Sequence, residues 1–274
     1  MISNVLKIGG RKLTGIIGLV LGFGCMILAF MMEKGKLMAL LSPTSAVIVF
    51  GGTIATLLVS FPIKDVAKLG ILFKVAFTNK ERDTVKLIIY FKDLAFKTRK
   101  NGLLSIEGEI SSDSNLDPFI KKGLQMIVDG VEPASVRGIL ELQTMMMEDR
   151  HKAGVEMFGA AGGYSPTMGI IGTVMGLVHV LGDLTDPNSL GPKIATAFIA
   201  TLYGVAFANL MWLPISSRLK AISKEEITEK ELITEAILFI QEGVNPNTIA
   251  EKLKSFLDTK QLALYDAEDK KAEV

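Results

Sequence analysis

YSPTMGIIGTVMGLVHVL, residues 164–181, holds no carboxylate, lysine or arginine. A run of that length and apolarity suits a helix crossing a hydrocarbon core of roughly 30 Å. Yet it opens on Pro166, carries Thr173 in its interior and places glycines at 172 and 176, where a plain lipid anchor would have leucine. Proline removes a backbone donor and starts or kinks a helix. Small residues at four-residue spacing let another helix approach closely, which is how bundles hold together in lipid. The stretch reads as a helix built to touch other helices.

Three further runs have the same character. Leu13–Met32, Leu40–Phe61 and Ile194–Ser217 are free of Asp, Glu, Lys and Arg, apart from the flanking turns. Small residues recur in them as Gly18 and Gly22, Gly51 and Ala55, and Gly204 and Ala208. The first run is followed by no small-x-small cleavage site, and a second span comes after a short hinge, so it is expected to remain as a helix. The 164–181 run and Ile194–Ser217 are joined by GDLTDPNSLGPK, a polar connection rich in turn formers. Two helical hairpins result.

Composition agrees with a chain that is part membrane and part water-facing: 49% hydrophobic residues, 22% charged and a formal net charge of +1. That balance, with no arginine and aromatic clustering, argues against nucleic-acid binding. Cys25 is the one cysteine, so neither an internal disulfide nor a multi-cysteine metal site is available. Lys7, Arg11 and Lys12 precede the first span, Lys64, Lys68 and Lys74 follow the second, and Arg218, Lys220 and Lys224 follow the fourth. The positive-inside rule therefore puts both termini and residues 62–163 in the cytoplasm. The expected layout is 1–12 cytoplasmic, spans at 13–32 and 40–61, an internal helical domain at 62–163, spans at 164–182 and 194–217, and internal helices at 218–274. The fold class is all-α, a polytopic membrane protein with four transmembrane helices and a helical cytoplasmic domain.

Within the internal part, KLIIYFKDLAFKTR repeats apolar residues at helical spacing. MIVDGVEPASVRGIL at 126–140 resembles FIQEGVNPNTIAEKL at 239–253. In each, a helix is expected to end at a glycine, Gly130 or Gly243, and the next to begin near a proline, Pro133 or Pro246.

Function is constrained by what the spans lack. Moving H⁺ or Na⁺ through a membrane generally takes an ionisable or strongly coordinating group at membrane depth, usually a carboxylate, and none of the four runs supplies a carboxylate; their one histidine, His179, lies near the outer end of the third span. Either the chain moves no ion or a partner brings the carboxylate. Thr173 and Thr201 remain as hydroxyls; Pro166 and Thr173 lie about two turns apart on one face, while Ala197, Thr201, Gly204 and Ala208 form a face of small side chains. Two such faces suit the wall of a tight, weakly polar channel. The plainer alternative for each threonine is a bond to its own helix carbonyl; for Pro166 it is a helix start or a kink, and Pro214 is expected to end the fourth span. No nucleophile, base and orienter set is apparent, so an enzyme is disfavoured, and no cofactor or metal site is expected.

SPTMGIIGTVMGLVHVLGDL, with the DPNSLGPKIATAFIATLYGVAFANLMWLPIS that follows and TRKNGLLSIEGEI at 98–110, resembles MotA/PomA-type flagellar stator subunits, relatives of TolQ and ExbB. The resemblance covers nearly the whole chain, and four spans set it apart from the three-span TolQ/ExbB type. It implies a homopentamer in the bacterial inner membrane around two copies of a MotB-type single-span partner, which carries the essential aspartate. It also implies that Pro166 senses the state of that aspartate, that Thr201 lines the pore, that Pro214 supports the coupled motion, and that Arg99 and Glu107 engage the rotor protein FliG. On the transported ion two positions disagree. Thr173 matches sodium-driven members, whereas Ala200 stands where those members have a second threonine; a lost oxygen ligand weakens the sodium case and favours H⁺. An ExbB/TolQ-like energiser and a membrane scaffold without ion flux are the alternatives.

Overall fold

A computed structural model describes residues 10–78, 82–113, 116–182 and 187–272, without the side chains of 10–13, 187–189 and 270–272. Lys7 and residues 183–186 of the second connection lie outside the described residues, as do the side chains of Arg11 and Lys12. Every regular element among the described residues is helical. In chain order, α1 is Gly10–Met32, and α2 runs as Pro43–Ala46, a π segment Val47–Gly51 and Gly52–Ser60. Ile63–Val66 is α3, Leu69–Phe77 α4, Thr84–Asn101 α5, Glu107–Ser112 α6 and Pro118–Val128 α7. The helix α8 spans Pro133–Leu181, and α9 spans Pro187–Phe207 and closes in a second π segment, Ala208–Trp212. Leu213–Gln241 is α10, Pro246–Leu253 α11 and Thr259–Ala272 α12. Four helical stretches, Thr14–Met32, Leu37–Ser60, Pro133–Leu181 and Leu190–Gln241, are long and apolar enough to cross a membrane.

The chain divides into two compact units, residues 1–79 with 150–222, and residues 80–149 with 223–274. The first holds the apolar spans and also α3, α4 and the 150–163 segment of α8, which the sequence places with the internal domain. Packing explains the difference. Leu69, Leu72 and Phe77 join the same core as Leu57, Met157, Phe158, Trp212 and Ile215, so these short helices bury their apolar side within the unit of the spans. Arg218 strengthens that grouping: its Nε donates to the Ala76 carbonyl near the end of α4, and its guanidinium lies 5.5 Å from the Phe77 ring centroid. Gly15 of α1 leaves the room, since a Cβ there would overlap the guanidinium.

One expectation about proline is corrected. Pro166 does not start its helix; α8 continues on both sides of it. At Pro214, too, the helix continues, since α10 follows the π segment without interruption. A proline ring crowds the carbonyl four residues back. For Pro214 that residue is Leu210, inside the wider turn of the π segment, which gives the ring space.

The second unit is built on Ile88, Phe91 and Leu94 of α5, Leu124 and Ile127 of α7, Leu140 of α8, Ile233 and Ile237 of α10, and Ile249 and Leu253 of α11. Its corners follow the glycine and proline pattern. Gly130 and Gly243 have φ of 74° and 69°, a region open to glycine at little cost. Asp117 and Asn245 cap α7 and α11 by accepting from Phe119 N–H and Asn247 N–H. Buried charges are paired: Lys230 reaches Asp117 at 3.1 Å, Lys92 reaches Asp269 at 2.6 Å, and Arg82 bridges Glu226 and Glu229, each at 2.8 Å.

Candidate functional site

The helices α8 and α9 meet along their small residues. A Cβ on Gly169 would lie 2.7 Å from the Ala200 carbonyl, on Gly172 2.7 Å from the Ala200 methyl, and on Gly176 2.6 Å from the Ala197 methyl. A Cβ on Gly204 would lie 2.5 Å from the Ser165 carbonyl and 3.1 Å from the Pro166 and Gly169 Cα atoms. Two backbones therefore touch with almost no side chain between them, as the four-residue spacing of glycine and alanine demands.

Hydroxyls join this seam. Thr173 Oγ1 lies 2.6 Å from Thr201 Oγ1, 2.9 Å from the Ala197 carbonyl and 3.2 Å from the Gly169 carbonyl. Thr201 Oγ1 lies 3.4 Å from that same Gly169 carbonyl. Two hydroxyls carry two protons, and the shortest contacts are satisfied together when Thr201 donates to Thr173 and Thr173 donates to the Ala197 carbonyl. The threonines thus do more than bond their own helix; they form a line of oxygens from one helix to the next. Ser165, which the sequence reading passed over, is fully buried and donates to the Gly204 carbonyl at 3.0 Å.

Pro166, Thr173 and Thr201 are brought together along this seam. Pro166 is half-buried with its Cα against Gly204, and both threonines are half-buried. Ile170, between Pro166 and Thr173 on α8, is exposed, so this side of the seam opens outward from the subunit. Pro214 is exposed on α10. Just ahead of it, Trp212 is buried against Phe158, with ring centroids 5.8 Å apart, and its indole N–H has no acceptor.

Away from the seam, the α2 entry is tied to α9 by a second polar group. Tyr203 donates its hydroxyl to the Leu40 carbonyl and accepts from Ser42 N–H at 3.3 Å, while Ser45 donates to the Thr196 carbonyl at 3.4 Å. Carbonyls 196 and 197 of α9 are therefore each held by a hydroxyl, from α2 and α8 respectively.

Arg99 and Glu107 belong to the second unit. Arg99 lies in the last turn of α5, and Glu107 opens α6 after the bend at Gly102, whose φ is 82°. Both are exposed, beside a Lys97–Glu109 ion pair of 2.8 Å and the exposed Leu104. Tyr90 of the same helix has its hydroxyl pushed up to about 12, by burial first and then by the negative field of Glu109 and Asp113. Among the described residues, no group of three or more His, Cys, Asp or Glu side chains is placed to hold a metal ion.

Residues 111–232 match the model of the MotA/TolQ/ExbB proton channel family, and residues 16–102 match that of the Motility protein A N-terminal region. Motility protein A of Bacillus subtilis is 36% identical over 248 residues, 90% of this chain and 91% of that protein. The chain belongs to the MotA/TolQ/ExbB proton channel family. Within it, chemotaxis protein PomA of Vibrio alginolyticus is 33% identical over 92% of this chain and 98% of its own length. The flagellar MotAB stator complex of Bacillus subtilis superposes with a TM-score of 0.85 at 36% identity, covering 90% of this chain and 97% of that one. The MotAB structure of C. jejuni gives 0.85 at 30% identity. These likenesses make the chain a flagellar stator subunit, not an enzyme, and the match at 16–102 favours the MotA branch of the family over TolQ and ExbB.

Proposed function

We propose that this subunit forms a homopentamer around two copies of a MotB-type partner in the bacterial inner membrane, with both termini in the cytoplasm, and that the assembly passes H⁺ inward to turn the flagellar rotor. The observation that carries the reading is the α8–α9 seam: hydroxyls and a proline at membrane depth, with no carboxylate in any of the four spans. Such a wall lacks the ionisable group that conduction requires, and a single partner aspartate beside Pro166 would supply it. Ion entry neutralises that aspartate, Pro166 senses the change, Thr201 lines the path and Pro214 supports the coupled motion. Arg99 and Glu107, exposed and outside any ion pair with each other, then act on FliG. One charge crossing 100 mV supplies about 2.3 kcal/mol, several times thermal energy, which suffices for a rotational step.

Proton use is favoured over sodium because Ala200 stands where a second threonine would offer another oxygen ligand to sodium, whereas a proton needs only the partner's carboxylate. The test is rotation speed in cells carrying this chain and its partner, measured against external sodium and against a protonophore. Speed that is independent of sodium and collapses with the protonophore is expected; a speed that tracks sodium would overturn the choice of ion.

A further inference from the structure

Helices that meet over glycine have few interlocking side chains, so volume alone does little to stop one from turning about its axis against the other. Between α8 and α9 the seam is of that kind from Gly169 to Gly176. What is directional there is hydroxyl to carbonyl: Ser165 to Gly204 at 3.0 Å, and Thr173 to Ala197 at 2.9 Å. The two donors stand about two turns apart on one face of α8. Their acceptors are about two turns apart on α9, running the opposite way. Thr173 also shares its hydroxyl with Thr201 and Gly169, whereas the Ser165 contact is a single bond in a fully buried position.

We propose that Ser165 is the positioning residue for Pro166: its bond to the Gly204 carbonyl fixes the rotation of α8 and so the direction in which the adjacent proline ring faces the ion path. This rests on the role assigned to Pro166 above. The close approach of Gly204 to the Ser165 carbonyl and the Pro166 Cα makes the contact short enough to transmit a change at Pro166 into α9 without intervening side chains. A hydroxyl-to-carbonyl bond can break and reform, so it holds one orientation without locking the seam.

Ser165→Ala removes one oxygen and leaves the packing in place. In motor cells carrying the MotB-type partner, torque per stator unit is read from the stepwise speed increments of a bead on one flagellum. That quantity does not depend on how many units assemble, so a merely structural role would change the number of steps and not their size. The expected result is a fall in step size of up to about fivefold, the factor by which losing one such bond biases a two-state orientation. Ser165→Thr, which keeps the hydroxyl, restores most of it. Step size unchanged in Ser165→Ala would overturn the proposal. If that variant enters no motors, ion uptake per complex, with the partner's channel-closing segment deleted, gives the same reading: unchanged uptake overturns it, and a several-fold loss supports it. Pro166→Leu is run in parallel. Full torque in Pro166→Leu refutes the role of the proline itself, whereas loss there with normal Ser165→Ala refutes only the positioning role.

Discussion

Gly204→Ala tests the seam most directly. The added methyl would sit 2.5 Å from the Ser165 carbonyl and 3.1 Å from the Cα atoms of Pro166 and Gly169, all backbone, so no rotamer change makes room. Ordinary carbon contacts lie near 3.5 Å, so the helices must part by roughly 1 Å. The Ser165–Gly204 bond of 3.0 Å would then open to roughly 4 Å and cease to exist. Overpacking of this sort costs about 1–3 kcal/mol, and the lost bond adds about 1 kcal/mol. Gly18→Ala is the control: nothing lies within 4 Å of a Cβ there, and alanine favours helix over glycine. Both variants are purified with the partner in detergent and melted by scanning fluorimetry. Gly204→Ala should melt well below the parent and Gly18→Ala at or above it. Equal melting of the two, with motility intact in Gly204→Ala, would mean that backbone contact at this seam does not govern stability.

Two other outcomes are expected. Arg99→Glu should abolish swimming while leaving expression unchanged and folding stability within about 0.5 kcal/mol of the parent, because an exposed charge contributes little to folding; simultaneous Glu107→Arg should recover part of the motility, and an Arg99→Glu variant that swims normally would remove Arg99 from the rotor contact. In an alkaline titration followed by phenolate absorbance, Tyr90 and Tyr265 should ionise above the ordinary tyrosine range, since burial holds both hydroxyls up. A raised folded value means that the folded chain keeps its protons while the unfolded chain loses them. The stability from Tyr90 is therefore whole below about pH 10 and declines as pH rises toward about 12, so the unfolding midpoint should fall across that window.

The spans and the helix corners were legible because each is written locally. A charge-free run long enough for lipid, or a glycine followed three residues later by proline, needs no knowledge of distant residues. The continuity of α8 was not. Pro166, near the start of an apolar run, reads as the boundary between an internal and a membrane segment, and the helix that continues through it is seen only in the folded chain. Thr173 and Thr201 could be selected as hydroxyls in apolar surroundings, yet their mutual bond depends on the register between two helices. Ser165 was missed for the same reason. A serine in a helix ordinarily bonds its own backbone, and its acceptor here is a carbonyl on α9, which no side-chain pattern announces. The π segments left no mark at all in composition.

Arg218 ends as more than a flanking charge. Under the orientation proposed here, it belongs to the basic cluster that keeps this end of the fourth span from being translocated while the nascent chain is inserted. Once the helices have assembled, the same guanidinium is committed to the Ala76 carbonyl, beneath the opening that Gly15 leaves. One side chain therefore serves the protein at two ages, first during biogenesis and then in the finished fold. Lysine in its place would keep the topogenic charge but lose the planar fit over Phe77, so such a variant should insert correctly and mature poorly.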